Sequence, residues 1–276
     1  MLVVCSVLWS LAGLLIKLLP WNPMVISGAR SLIAAMVFFI YMKIRGQKLK
    51  FSRPVLFSGI LLCLTMLLFV AANKLTTSAN AIIIQSTAPI HIVIISAVFL
   101  RQKYAKKEYL VIFFTMLGIA LFFFDELSPG NMLGNFLALI SGITFASMYV
   151  FTNRLPDDES ALSAMLFGHI AAAAVGLPFA LFFPPQITLQ TVTMLLVLGV
   201  FQLGVPYILY GLAIRKCRPL YGSLLGMLEP LLNPVWVFLM IGELPGPVAA
   251  TGGVIVLLSV GIWCATNAKS ADSGTQ

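Results

Sequence analysis

Apolar residues run in blocks of roughly 16–24 along almost the whole chain, a length that carries a helix across a hydrocarbon core of about 30 Å. Such blocks have few polar interruptions, and in lipid only a helix satisfies every backbone group within its own segment. The pattern predicts ten spans: Leu2–Leu19, Pro23–Met42, Pro54–Asn73, Ser78–Leu100, Tyr109–Phe124, Met132–Thr152, Ala161–Phe183, Thr191–Ile214, Pro219–Ile241 and Val248–Ala265. The joints between them carry turn signals, among them Pro20-Trp21-Asn22-Pro23, Ser128-Pro129-Gly130, Pro184-Pro185 and Pro245-Gly246-Pro247.

Polar residues inside the spans are few, so each is informative. The stretch from Arg218 to Ile241 is apolar enough to cross a bilayer, yet carries Glu229 halfway along. An ionisable group at that depth costs roughly 2.5–3.5 kcal/mol on insertion scales, and it survives by facing protein or a wet cavity. Pro230 follows it and cannot donate to the helical ladder, which predicts a kink or local opening. Gly222, Gly226, Glu229 and Asn233 share one helical face, small at one end and polar at the other.

Composition fits this picture. The chain is 60% apolar and 9% charged, with a mean hydropathy of +1.03; a soluble domain averages about 25% charged residues. No non-apolar segment is long enough for a soluble domain. The net charge of +8 concerns membrane orientation rather than nucleic acid. With the N-terminus placed in the cytoplasm, the inside segments hold 14 Lys and Arg and the outside segments only Lys17 and Lys74. The positive-inside rule then puts both termini in the cytoplasm. Cys5, Cys63, Cys217 and Cys264 form no CxxC pair and read as small hydrophobes. Met1 opens directly into an apolar run with no charged leader, which reads as a first span short of a few natural residues. Lys269–Gln276 is small and polar and reads as a disordered tail.

A weak repeat appears at an offset of 141, placing Lys74 on Arg215, Met66 on Tyr207, Pro89 on Pro230 and Gln102 on Glu243. Five spans per half is an odd number, so the halves enter the membrane from opposite sides. Inverted repeats of this kind are common in secondary transporters, with the site near the midplane between halves. The expected fold is therefore an all-α integral membrane protein of ten transmembrane helices in two inverted five-helix repeats. Residues 1–126 form the first repeat, 127–268 the second, and 269–276 the tail.

The ordered set LWSLAGLLIK (Leu8–Lys17), GARSLIAA (Gly28–Ala35), TTSANAIIIQSTAPI (Thr76–Ile90) and LYGSLLGMLEPLLNPVWVFLMIGE (Leu220–Glu243) resembles the drug/metabolite transporter superfamily, in its EamA-type ten-helix branch. The resemblance covers essentially the whole chain. Where that family ends its fourth span in Gly-Glu, this chain has Arg101-Gln102, although Gly242-Glu243 keeps the pair in the second half. The resemblance implies a central cavity, alternating access, and export or exchange of small metabolites across a bacterial inner membrane. It leaves the substrate and direction open.

Candidate site residues follow from polarity within the spans. Glu229 leads, as a binder of a proton or a cationic group. His91 lies two residues after Pro89 and reads as a histidine hydrogen-bonded across helices or as a proton relay. His169 is treated in the same way. Gln85 is polar in an apolar run and should face inward. Gln202, Tyr207 and Tyr210 surround Pro206. Trp9, Phe145 and Tyr149 add aromatic surface, which suits an organic cation or a ring but also plain packing. Asn233 shares the Glu229 face. Arg30 could attract an anionic group, but is expected rather to snorkel outward or to pair with a helix terminus or carboxylate.

Other chemistry is missing from the sequence. It contains no GxxxxGK[ST] phosphate loop, HExxH, GxSxG or acidic cluster suited to Mg²⁺. The reading is a transporter without catalysis, metal or cofactor. Its partners are a small organic solute and the lipid bilayer, with a homodimer left open. A membrane-embedded enzyme or lipid-handling protein is the alternative from another class.

Overall fold

A computed structural model describes residues 1–122, 124, 131–232 and 246–272. Ten helices can be followed among them. They are α1 (Leu2–Leu18), α2 (Pro23–Ile44), α3 (Arg53–Leu75), α4 (Ser78–Leu100), α5 (Lys106–Phe122), α6 (Met132–Asn153), α7 (Asp158–Leu181), α8 (Leu189–Lys216), α9 (219–232) and α10 (Pro247–Asp272). No strand occurs among the described residues. α10 runs four residues into the stretch expected to be a disordered tail, and residues 273–276 lie outside the described set.

The polar joints serve as N-caps, satisfying backbone donors that lipid would leave bare. Asn22 accepts from the Met24 N–H (2.9 Å), with Pro23 opening the helix; Asn131 accepts from Gly134 (3.1 Å) and Asp157 from Ser160 (2.7 Å). Thr188 and Thr191 form a reciprocal capping box at the head of α8. Outer faces carry exposed Phe39, Ile40, Leu64, Phe113, Phe136 and Leu257, whereas Ala34, Phe38 and Leu62 are buried. Helices apolar on both faces are what a lipid-embedded bundle requires.

Packing follows the repeat. α3 packs on α6 and α7, just as α8 packs on α1 and α2; α4 packs on α6 as α9 does on α1. Exchanging the halves (α1 with α6, α2 with α7 and so on) maps each of these contacts onto another. The pairs α2–α7, α4–α9 and α5–α10 map onto themselves. Most of the packing thus crosses between halves. Two of the self-mapped pairs cross at glycine. A Cβ on Gly28 of α2 would lie 2.6 Å from the Leu177 backbone N, and one on Gly118 of α5 would lie 2.8 Å from the Gly252 carbonyl in α10. Bare glycines let these backbones touch.

The offset seen in the sequence has a structural meaning at the helix ends. Lys17, at the end of α1, donates from Nζ to the Asn73 and Thr76 carbonyls of the α3 terminus (3.0 Å each), and Lys74 reaches back to the Leu19 carbonyl (2.5 Å). In the other half Asn153, at the end of α6, donates to the Ile214 and Cys217 carbonyls (2.6 and 2.7 Å), and Arg215 reaches back to Leu155 (2.8 Å) and Pro156. Asn73, Lys74 and Thr76 lie 141 residues before Ile214, Arg215 and Cys217. Each half therefore closes with the same clasp, a cation or amide capping orphan helix carbonyls. In an inverted repeat the two clasps sit at opposite membrane faces.

Candidate functional site

Four helices depart from regular α geometry around the bundle centre. α1 breaks at Ser10–Leu11, α4 at Ser86–Thr87 and α9 at Met227, and α8 widens into π-helix over Val197–Gly204. The α4 and α9 breaks are equivalent under the repeat and precede Pro89 and Pro230. Proline explains both, since it removes one N–H and crowds the preceding turn. Polar side chains serve the freed backbone: Thr87 Oγ1 donates to the Ile84 carbonyl (2.7 Å), and Ser6 of α1 donates to the Leu225 carbonyl (3.0 Å). The break in α9 leaves Glu229 on the first turn of the resumed helix.

Two small cavities, about 20 Å³ each, flank Glu229. One is bordered by Trp9, Arg30, Gln85, Gln202 and Tyr207; the other by Ile82, Ser86, Ser223, Gly226 and Pro230. Gln85, Phe145 and Glu229 border both. Each volume has room for about one water molecule, whereas a ligand pocket spans some 300–1,000 Å³. Both are narrow, and side chains from both halves line them.

The residues named from sequence separate into three groups. Glu229, Trp9, Gln85, Gln202 and Tyr207 converge on the cavity. Trp9 is 3% exposed, with its ring 5.1 Å from Tyr207, 6.0 Å from Tyr210 and 6.1 Å from Phe145. Gln85 donates to Ser141 Oγ (2.7 Å). Tyr149 and Tyr210 stand behind this wall, 4.9 Å apart and fully buried, and Tyr149 packs edge-on to Phe145. His91 lies apart from the cavity. Its Nε2 meets Thr87 Oγ1 (3.1 Å) one turn back on its own helix, so the partner is local rather than across helices. Asn233 lies outside the described residues.

Arg30 departs from expectation. It was expected to snorkel or to pair with a helix terminus or carboxylate, yet it is 1% exposed and points to the centre. Nη1 donates to Gln202 Oε1 (3.1 Å) and Nη2 to Met66 Sδ (3.6 Å), while Nε has no protein partner. The signal available in the sequence was the rarity of an arginine inside a span. His169 lies deeper, between the Phe38 and Tyr207 rings (5.6 and 5.4 Å), with both ring nitrogens unpartnered. Among the described residues, no three His, Cys, Asp or Glu side chains converge as metal ligands.

At one end of the bundle, Arg218 at the head of α9 pairs with Glu108 of α5 (2.6 Å) and lies 5.2 Å above the Tyr104 ring. Burial raises the Tyr104 phenol pKa above its ordinary value.

Comparison with known proteins completes the description. The model of the EamA-like transporter family matches residues 1–124 and 132–263. An uncharacterized transporter of Archaeoglobus fulgidus is 23% identical over 199 residues, 71% of each chain. The uncharacterized inner membrane transporter YedA of Escherichia coli K12 is 27% identical over 140 residues, which span 49% of this chain and 45% of that one. One solved crystal structure superposes with a TM-score of 0.79 over 93% of both chains at 17% identity, a likeness of fold alone.

Proposed function

The chain belongs to the EamA-like transporter family, and from that premise we propose that it is a secondary transporter moving a small organic metabolite or drug across a bacterial inner membrane by alternating access, in export or exchange. One observation carries the reading: a carboxylate at the break in α9 borders a narrow cavity whose walls come from both halves. Sites of this kind, between inverted repeats and beside broken helices, suit rocking of one half against the other. In this proposal residues 1–126 and 127–268 are the two repeats, and both termini face the cytoplasm, as the charge distribution supports. Glu229, Trp9, Gln85, Gln202 and Tyr207 contact the solute, and Tyr149 and Tyr210 hold the aromatic wall in place.

A second reading keeps the site and reverses the direction, with uptake of an organic cation or nutrient. It is favoured by Glu229 standing beside the Trp9 and Tyr207 rings, a setting that suits a positive group.

Counter-flow in proteoliposomes tests the proposal, using radiolabelled amino acids, nucleosides, aromatic acids and quaternary amines. Purified protein exchanges at least one class, and Glu229→Gln lowers that exchange by on the order of tenfold or more, about 1.4 kcal/mol or more of lost stabilisation. Exchange at the level of protein-free vesicles for every class contradicts transport. Full activity of Glu229→Gln at every pH contradicts the carboxylate's role.

A further inference from the structure

We propose that a groove between α3 and α6 holds an anionic phospholipid, with its phosphate at Arg53 and Arg154 and an acyl chain over Phe57 and Phe151. The groove measures about 450 Å³ and is lined by Arg53, Pro54, Phe57, Phe151, Arg154 and Leu155. It lies on the outside of the bundle, apart from the cavity at Glu229. Arg53 opens α3 and Arg154 follows the last residue of α6, so both cations stand where the apolar helices end. The rings come one turn deeper, Phe57 along α3 and Phe151 along α6. They meet edge to face at 5.0 Å, and Phe99 of α4 adds a third ring 6.4 Å from Phe151. Phe57 is exposed and shares its helix face with exposed Ile60 and Leu64, so the groove runs into the lipid-facing surface. Cations at the rim with apolar surface beneath them follow the layout of a phospholipid's own headgroup and chain.

Both arginines are available. Among the described residues neither guanidinium has a hydrogen-bond or ion-pair partner. The acids just after Arg154 are engaged elsewhere. Asp157 accepts from the Ser160 N–H (2.7 Å), Asp158 pairs with Arg215 (2.6 Å), and Glu159 pairs with Lys50 (3.2 Å). A guanidinium without a carboxylate matches a phosphate, which accepts its N–H fork in a bidentate fashion. A zwitterionic headgroup brings a further positive charge to this doubly cationic rim, and an anionic headgroup does not, so charge selects the anionic lipid. A soluble anion would use the arginines and leave the exposed rings uncovered; a lipid engages both. Because α3 and α6 come from different halves of the chain, one bound lipid touches both.

Native mass spectrometry of the delipidated full chain tests this, with phosphatidylglycerol and phosphatidylcholine of identical acyl chains. The first phosphatidylglycerol binds more tightly than the first phosphatidylcholine by about fivefold or more, the order expected for a single cationic contact. Arg53→Gln with Arg154→Gln lowers that ratio by at least half. Lys103→Gln with Lys106→Gln, which removes two charges from the α4–α5 joint, lowers it less. Phe57→Ala with Phe151→Ala weakens both lipids. The proposal is overturned if the wild-type ratio is smaller, if the lysine pair lowers it as much as the arginine pair, or if the phenylalanine pair leaves both affinities unchanged. Displacement of phosphatidylglycerol by equimolar glycerol phosphate overturns it too, by making the occupant a soluble phosphate.

Discussion

Arg30 carries a buried charge among neutral partners, and an uncompensated buried charge costs free energy relative to an apolar residue. Arg30→Met is therefore expected to keep or raise stability in detergent, by up to about 1 kcal/mol. Thermal unfolding checks this, and a loss above about 3 kcal/mol would make Arg30 a structural anchor instead. Asp157 is the opposite kind of residue. Hydrogen bonds from Ser160 hold its carboxyl below the ordinary value, so its contribution is present above about pH 4 and fades as pH falls through the lowered pKa. Asp157→Ala should cost about 1 kcal/mol at pH 7, as for other helix caps, and less at pH 3. Part of the candidate site was legible residue by residue: Glu229, Gln85 and Gln202 are polar groups in apolar runs, and all three border the central cavity. Arg30 was misjudged because the sequence gives its depth but not its face, which is fixed by Gln202 on a helix 172 residues away. His91 was misjudged in its partner, although a threonine four positions back was a readable local acceptor.

At the scale of elements, the helices fall, over the described residues, where the apolar blocks place them, because length and hydropathy act locally; residues 233–241 of the ninth span lie outside that set. The two proline breaks were signalled in the same way, by Pro89 and Pro230. The π-helical stretch of α8 and the break in α1 were not signalled, since both depend on what the neighbouring helices supply. Close helix crossings make a sharp prediction. Gly176→Leu should push α7 off α2 and cost about 1–3 kcal/mol or more, because a Cβ there meets the Gly28 backbone at 2.7 Å. Gly261→Leu, with nothing within 4 Å of its Cβ position, should change stability little. Thermal unfolding of both variants in one detergent decides, and equal losses would refute the crossing. The clasps add a paired prediction. Lys74→Met and Arg215→Met each leave helix carbonyls bare and should each cost about 1 kcal/mol, whatever the membrane face. A large asymmetry in denaturant unfolding would show that the two clasps are not equivalent.

In the molecule as a whole, the halves interleave, and their packing maps onto itself when they are exchanged. The 141-residue offset pointed to this arrangement, but the register of the contacts became visible only when Lys74 and Arg215 proved to play one part. The central claim is that the narrow cavity around Glu229 opens in turn to each side of the membrane. Ser223 borders that cavity and is small enough to replace. Ser223→Cys, in a chain whose four native cysteines are removed, can be probed with a membrane-impermeant maleimide from either face. The account predicts slow labelling from both faces, blocked from both by a transported solute. Labelling from one face only, or from neither, would contradict it.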